Sequence, residues 1–349
     1  MEKFKPVQNF QIKTERKISE LLEEMSSTGF QGRKLGEAFK TLVEMINDVD
    51  VTIFLGLAGA MAVSGQSKII SWLIEKNFVD VLVPTGANIT EDIVMAMGHN
   101  YYLGNHVADD EKLFELGYNR YYDVYGKESD YIKMTELLSD IINNINSNKI
   151  CSARSLLNSI GNNLYEKNYE SLLGLAAKKE IPVFCPAFID SPIGDALLLS
   201  KSKGYNVIVD AVQDYSEFMG MNTSVKESGI ILIGGGVPKD FIQLFSVTGS
   251  LLYSDRKVPN RKQKTKRKNI NEGYYPHKYA VQITTDSPQW GGLSGCTFEE
   301  AISWGKETKQ NKNVQCFCDA TIALPILVQA LSEKKLRRKG KKLNNLFEN

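Results

Sequence analysis

Across 349 residues the sequence has no apolar run approaching the ~18–20 residues that cross a bilayer, and its opening stretch, MEKFKPVQNF, lacks the apolar core of a secretion signal. A cytoplasmic protein is therefore expected. Cysteines are few and odd in number. Cys151, Cys185, Cys296, Cys316 and Cys318 show no paired CxxC spacing, which argues against both a disulfide framework and a zinc knuckle. The three histidines, His99, His106 and His277, are too scattered for a metal site, and none pairs with a clear Ser or Cys nucleophile. Neither a metal nor a hydrolytic triad is expected. Domain linkers, internal repeats and low-complexity segments are also missing, apart from one basic loop.

What is present is an ordinary globular composition, 42% apolar and 24% charged, which excludes collagen-like, disordered and coiled-coil classes. The length allows one large or two ordinary domains. The net charge of +1 conceals an uneven distribution. Residues 256–268 (RKVPNRKQKTKRK) carry eight Lys/Arg and no acid, and residues 334–342 (KKLRRKGKK) carry seven and no acid. Outside these runs 27 basic residues face 41 acidic ones, a charge near −14, so the body can concentrate a cationic ligand. The basic runs read as a solvated loop and tail, with contact to nucleic acid or another acidic surface as the alternative.

Residues 15–48 read as two helices separated by Ser26–Gly32, with Ile18, Leu21, Leu22 and Met25 and then Leu35, Phe39, Leu42, Val43 and Ile46 at helical spacing. Val51–Leu57 (VTIFLGL) is a continuous run suited to a buried parallel strand. A helix over 66–76 follows, then a strand over 79–83, then PTGAN and a helix expected to start near Thr90, Glu91 and Asp92. Downstream, a helix is expected over 172–179 and strands over 181–184, 207–209, 229–233, 279–284 and 314–317. The alternation predicts an α/β protein with a mostly parallel sheet and helices on both faces. The expected organisation is an N-terminal helical segment over 1–50, a single α/β domain over 51–330 and a basic tail over 331–349.

Ligands of open parallel sheets bind at the carboxyl ends of the strands, so the turns that follow strands are the candidate sites. GLAGAMAVSG (56–65) is rich in small residues but does not match GxGxxG. Thr85–Asp92 brings a hydroxyl and two carboxylates together, either for a ligand or to cap a helix. Asp190 and Asp195, in DSPIGD, could hold a ribose hydroxyl or an ammonium, and turn chemistry explains them equally well. Gly234–Gly236 permits close backbone contact with a ligand, or makes a tight turn. WGGLSGCTFEEAISWGK (290–306) combines two tryptophans and four glycines with one lysine, Lys306. Stacked on an indole and partly desolvated, such an amine can attack a carbonyl or imine.

Taken in order, FLG (54–56), VDVLVPTGANITED (79–92), IPVFCPAFIDSPIGD (181–195), IILIGGGVPK (230–239), YAVQITTD (279–286) and GGLSGCTFEEAISWGK (291–306) resemble the deoxyhypusine synthase family over about residues 30–330. The resemblance implies a Rossmann-like NAD-binding fold and transfer of an aminobutyl group from spermidine to an acceptor amine. Lys306, in SWGK, would carry the covalent imine, and Trp304 would flank the substrate. Thr85, Gly86, Glu91, Asp190, Gly234, Gly235, Thr285, Ser294 and Asp319 would lie around NAD, while Asp195 would bind an amine of the polyamine and Glu91 would lie close to both ligands. Family members are homotetramers with sites at dimer interfaces. Where eukaryotic and archaeal synthases have a histidine pair after the triglycine stretch, this chain has Asp240 and Phe241, Trp290 stands where they have an aspartate, and Gly59 and Ala60 replace a serine and an asparagine. The pattern is similar to the bacterial deoxyhypusine-synthase-like branch. The expected acceptor is thus a small amine such as putrescine, the homospermidine-synthase reaction, with Asp240 either as the substitute proton acceptor or as the partner of another cation. The alternatives are a protein-lysine acceptor and a non-catalytic polyamine- and NAD-binding homologue.

Overall fold

Seven consecutive buried residues make the strand Val51–Leu57, a pattern possible only where both faces of a sheet are covered. The computed structural model describes residues 4–145, 150–248 and 275–347, so the basic run at 256–268 lies outside the described residues. Within these limits the chain forms two compact units: Met1–Gly56 with Lys76–Val79 and Met219–Gly340, and Leu57–Glu75 with Asp80–Phe218 and Lys341–Asn349. No described helix is long and apolar enough to cross a membrane.

In the first unit the strand order is Lys312–Phe317, Tyr279–Thr284, Glu227–Ile233, Val51–Leu57. The first three pair in parallel, with Tyr279 opposite both Lys312 and Gly229. The parallel α/β expectation holds here. The helix Phe30–Asn47 packs on Lys312–Phe317 and Tyr279–Thr284, burying Phe39, Leu42, Met45 and Ile46 along one side. Ile18–Met25 packs against Ala320–Glu333, and the Glu333 carboxylate accepts hydrogen bonds from Ile18 N and Ser19 N, at 3.3 and 2.8 Å, capping the incoming helix. The basic run near the chain end is not wholly solvated. Arg338 donates to the carbonyl oxygens of Asn77 and Val51, each at 2.7 Å, and so meets acceptors at the start of the first strand.

The second unit is mainly helical, and its elements depart from the sequence reading in three places. The helix expected to begin near Thr90 spans Gly86–Ala96, because the Thr85 hydroxyl caps it by accepting from Asn88 N at 3.3 Å. Glu91 and Asp92 consequently lie in the helix interior and are only 3% and 4% exposed. The segment 181–184 forms only an isolated bridge, Leu82 to Val183, since Pro182 has no N–H and Pro186 follows closely. A three-stranded sheet of Tyr102–Leu103, Val124–Lys127 and Tyr118–Tyr121, antiparallel throughout, gave no periodic signal: its strands are two to four residues long and polar.

Arg154 ties the second unit together. Its backbone N–H donates to Asp214 Oδ1 at 2.6 Å, its Nε donates to Glu217 Oε2 at 2.5 Å, and its guanidinium lies 4.1 Å from the centre of the Phe347 ring. Both members of the ion pair are largely buried, and removing one leaves the other's charge uncompensated. Arg154→Ala is expected to cost about 3 kcal/mol. The measurement is a lowered urea midpoint at unchanged slope.

Candidate active site

Lys306 is placed by the way its helix stops. Thr297 caps the helix Phe298–Ser303, its hydroxyl accepting from Glu300 N at 3.0 Å. Trp304 ends the helix, and Gly305 takes a left-handed conformation (φ +79°) that reverses the chain. Lys306 N then bonds back to Ala301 O at 3.1 Å. The SWGK spacing thus folds the lysine against its own helix end, with Nζ 5.6 Å from the Trp304 ring.

The partner of the amine comes from the helix Gly236–Leu244. Asp240 Oδ1 lies 2.7 Å from Lys306 Nζ, with the lysine side chain 12% exposed and the aspartate 39%. Lys306, Trp304, Asp240, Gln243, Leu244 and Leu293 contribute to the wall of a cavity of about 380 Å³. Trp304 itself is 64% exposed in the single chain.

Beneath Asp240 the adjacent Lys239 is fully buried, and burial lowers the pKa of its amine. Its Nζ donates to Gln282 Oε1 at 3.0 Å and to Cys296 O at 2.6 Å. Gln282 Nε2 donates in turn to Gly234 O and Ser294 O, at 2.8 and 2.9 Å. Glu307, next to Lys306, is also buried, and burial pushes its carboxyl well above the usual range. Neither Lys239 nor Glu307 was singled out as a candidate from sequence, where they read as ordinary charged residues.

Gly234, Gly235, Thr285, Ser294 and Asp319 also lie in this unit. Gly234, Thr285 and Asp319 stand within two residues of the carboxyl ends of three adjacent parallel strands. A Cβ on Gly235 would come within 2.4 Å of Ser294 Cα, so only glycine lets these two segments touch. The helix that begins at Gly236 has a glycine at its N-cap position, and the Ser294 hydroxyl takes the place of a cap by accepting from Gly236 N at 2.9 Å. Thr285 is exposed. Asp319 is exposed as well, and it caps the helix Ala320–Glu333 by accepting from Thr321 N at 2.7 Å.

The second unit holds the other expected residues. Glu91, Asp190 and Asp195 share a cavity of about 650 Å³ whose described lining contains no lysine or arginine. Asp195 lies in the first turn of the helix Pro192–Ser202, which Ser191 caps. Thr85 Oγ1 donates to Gly59 O at 2.8 Å, and Gly86 packs against Ser191 with no room for a side chain. Burial pushes the Glu91 carboxyl up to about 8. Glu128, Glu136, Tyr121 and Tyr131 line the same cavity and were missed from sequence. The one available signal was spacing: 128, 131, 132, 135 and 136 fall on one face of the helix Glu128–Asn143.

One unit presents a lysine amine beside a carboxylate, and the other a cavity whose described lining holds five carboxylates. The sequence profile named "Deoxyhypusine synthase" matches residues 20–331. Proteins named "Probable deoxyhypusine synthase 2" are 41% identical in Methanosarcina mazei, over 92% of this chain and 88% of theirs, and 42% identical in Archaeoglobus fulgidus, over 88% and 95%. A "Deoxyhypusine synthase-like protein" of Chlorobaculum parvum is 33% identical over 92% of this chain and 88% of its own. A crystal structure from Entamoeba histolytica bearing the same family name superposes with a TM-score of 0.62 at 20% identity, covering 95% of this chain and 99% of that one, and shows the shared fold. The chain belongs to the deoxyhypusine synthase family, transferases of aminobutyl groups.

A carboxyl whose folded pKa is raised binds its proton more tightly in the folded state, so its contribution to stability is lost as pH rises from the unfolded value towards the folded one. For Glu91 that window runs from the ordinary carboxyl value of 4.5 to about 8. Glu91→Gln is expected to remove a fall in stability on the order of 1 kcal/mol per pH unit. Urea midpoints of both proteins at pH 6 and pH 8 check this, with the variant gaining on the wild type at the higher pH.

Proposed function

We propose that this protein is an NAD-dependent aminobutyl transferase that takes its group from spermidine through an imine on Lys306 and passes it to a small amine such as putrescine. The observation that carries this reading is the contact between Lys306 Nζ and Asp240 Oδ1 at 2.7 Å, beside the Trp304 ring. A lysine becomes a nucleophile when a neighbouring base takes its proton, and Asp240 is placed to do so. The Lys306 amine then displaces diaminopropane from the oxidised donor, and the acceptor amine in turn displaces Lys306. Trp304 flanks the aliphatic chain. Asp195 and Glu91 hold ammonium groups in the cavity without basic residues.

NAD when bound supplies a reversible hydride acceptor, so the net reaction is a transfer with no net oxidation. The proposed residues around it are Gly234, Gly235, Thr285, Ser294 and Asp319 in one unit and Thr85, Gly86, Glu91 and Asp190 in the other. The fit rests on the turn Gly234–Gly236 at the carboxyl end of the strand Glu227–Ile233 and on carboxylates suited to ribose hydroxyls. The working form is proposed to be a cytoplasmic homotetramer with its sites at dimer interfaces.

A second acceptor, a lysine of a translation factor, is favoured by the names of the archaeal relatives. The carboxylate of Asp240 beside the transferring lysine favours a diamine, whose second ammonium it can pair with. Purified enzyme with spermidine and NAD, assayed with putrescine or with a hypusine-type acceptor protein, separates the two. Homospermidine and diaminopropane are expected in equal amounts, without net NADH. Faster modification of the acceptor protein would replace the first reading with the second.

Lys306→Ala is expected to abolish transfer, by more than 10³-fold, while leaving NAD binding intact. Borohydride trapping of labelled spermidine should mark Lys306 in the wild type, and a label on another residue would refute the assignment. Asp240→Asn is expected to weaken use of the diamine more than binding of NAD. Initial rates over a putrescine series, alongside an NAD titration, provide the comparison.

A further inference from the structure

The string CFCD puts two thiols two residues apart at the carboxyl end of a strand. Cys316 belongs to Lys312–Phe317, the edge strand of its sheet, and Cys318 follows that strand by one residue. Residues at this spacing on extended chain share a face, and the two sulfurs meet, Sγ to Sγ, at 3.3 Å. Both cysteines are free thiols. Their surroundings differ. Cys316 is fully buried, with its Sγ 3.7 Å from Gln31 O, whereas Cys318 is only half-buried. Gln31 also anchors the strand end, its Oε1 accepting from Phe317 N at 2.7 Å. On the other side of Cys318 the chain enters Asp319, which caps the helix Ala320–Glu333 by accepting from Thr321 N and Thr321 Oγ1 at 2.7 and 2.6 Å.

We propose that Cys316 and Cys318 form a reversible thiol–disulfide site that reacts with low-molecular-weight disulfides, Cys318 being the attacking thiol and Cys316 the one that closes the bridge. The Cys318 thiolate attacks one sulfur of the external disulfide, whose S–S bond breaks, and one external thiolate leaves and takes up the proton of Cys316. The Cys316 thiolate then attacks Cys318 Sγ. The mixed disulfide breaks, and the second external thiolate leaves and is protonated by solvent, which holds the proton that Cys318 gave up. Two protein thiols are oxidised to one disulfide, and one external disulfide is reduced to two thiols.

The order of attack follows from the geometry. Cys318 is the sulfur that a solute can reach, and a thiolate there accepts the S–H of Cys316, which holds its pKa below the ordinary thiol value. Burial and the Asp319 carboxylate work against that lowering. The same contact, together with burial, raises the pKa of Cys316, while Lys34, from the helix Phe30–Asn47, favours its thiolate. Closing the bridge brings the sulfurs from 3.3 Å to about 2 Å. Gln31 holds 316 and 317, so Cys318 makes most of that movement and carries its neighbour Asp319 with it. Oxidation therefore disturbs the cap at the strand end. A weaker hold on NAD is the expected result, a consequence that rests on the proposed place of Asp319 beside the cofactor; the bridge itself does not.

The test incubates the intact reduced protein with glutathione disulfide, alkylates the remaining thiols and maps all five cysteines by mass spectrometry. The wild type is expected to lose two alkylation sites, Cys316 and Cys318, and to retain no glutathione there. Cys316→Ser should keep one glutathione on Cys318, and Cys318→Ser should react at Cys316 at least about tenfold more slowly. Far-UV circular dichroism verifies that each variant is folded, and the wild-type map needs no variant. A lasting glutathione adduct on wild-type Cys318, or both thiols still free after other cysteines have reacted, would overturn the site. NAD affinity of the same wild-type samples is expected to fall several-fold on oxidation and to return with dithiothreitol. A bridged protein that binds NAD as tightly as the reduced one would overturn the link through Asp319. A protein that binds NAD in neither state would refute the cofactor reading and leave the bridge standing.

Discussion

The side-chain amide of Gln282 is the interaction on which the lysine-bearing unit depends. It sits in the fully buried strand Tyr279–Thr284, where an unmatched amide would cost several kcal/mol, and its donors and acceptor are matched by groups from four other segments. Its carbonyl oxygen accepts from Lys239 and Gln315, and its nitrogen donates to the triglycine turn and the Ser294 loop. Lys239 extends the same network to Cys296, one residue before the cap of the helix that presents Trp304 and Lys306. A polar network at the centre of an apolar sheet therefore fixes the relative positions of the glycine turn, the serine loop and the helix that leads to Lys306. Networks of this kind rigidify when complete and are costly when broken, which suits the transfer site proposed for this unit.

The two cavities solve opposite electrostatic problems. Around Lys306 the amine meets the Asp240 carboxylate, with Glu300 on the same cavity wall. Around Glu91 the described lining gathers five carboxylates and no lysine or arginine, a surface suited to the cationic ligand proposed for it. Glu91 sits at the buried end of that second cavity, where the cost of an isolated charge is highest. Burial accordingly favours the protonated form of its carboxyl.

Much of this was legible in the sequence, and what escaped did so for physical reasons. Buried parallel strands are continuous apolar runs, so 51–57, 229–233 and 279–284 could be read directly, and with them the turns that follow. Lys306 and Trp304 were legible because SWGK is a compact and unusual string. Glu91 was legible as a candidate, but its place within the helix was not, since one hydroxyl at Thr85 moves the helix start by four residues relative to the expected Thr90. The strand expected at 181–184 failed because Pro182 within it cannot donate to a ladder and Pro186 follows two residues after it. The short antiparallel sheet failed for the reverse reason: its register is set by tyrosine contacts and a tight turn at Tyr122 (φ +54°), which no apolar alternation announces. Lys239 and Gln282 could not be distinguished from surface residues because their burial follows from tertiary packing alone.

The order of strands in the first unit has a further consequence, for how the chain is made. Val51–Leu57 pairs along one edge with Glu227–Ile233, which lies roughly 170 residues later in the chain. At ~5–20 residues per second, translation takes ~10–30 s to supply that strand. During that interval VTIFLGL, a seven-residue stretch with high β-propensity and no charge, has emerged with this edge uncovered. The parallel topology that provides a row of strand ends thus leaves the nascent chain with a long window in which a chaperone, or another unfinished copy, can reach that edge before Glu227–Ile233 exists.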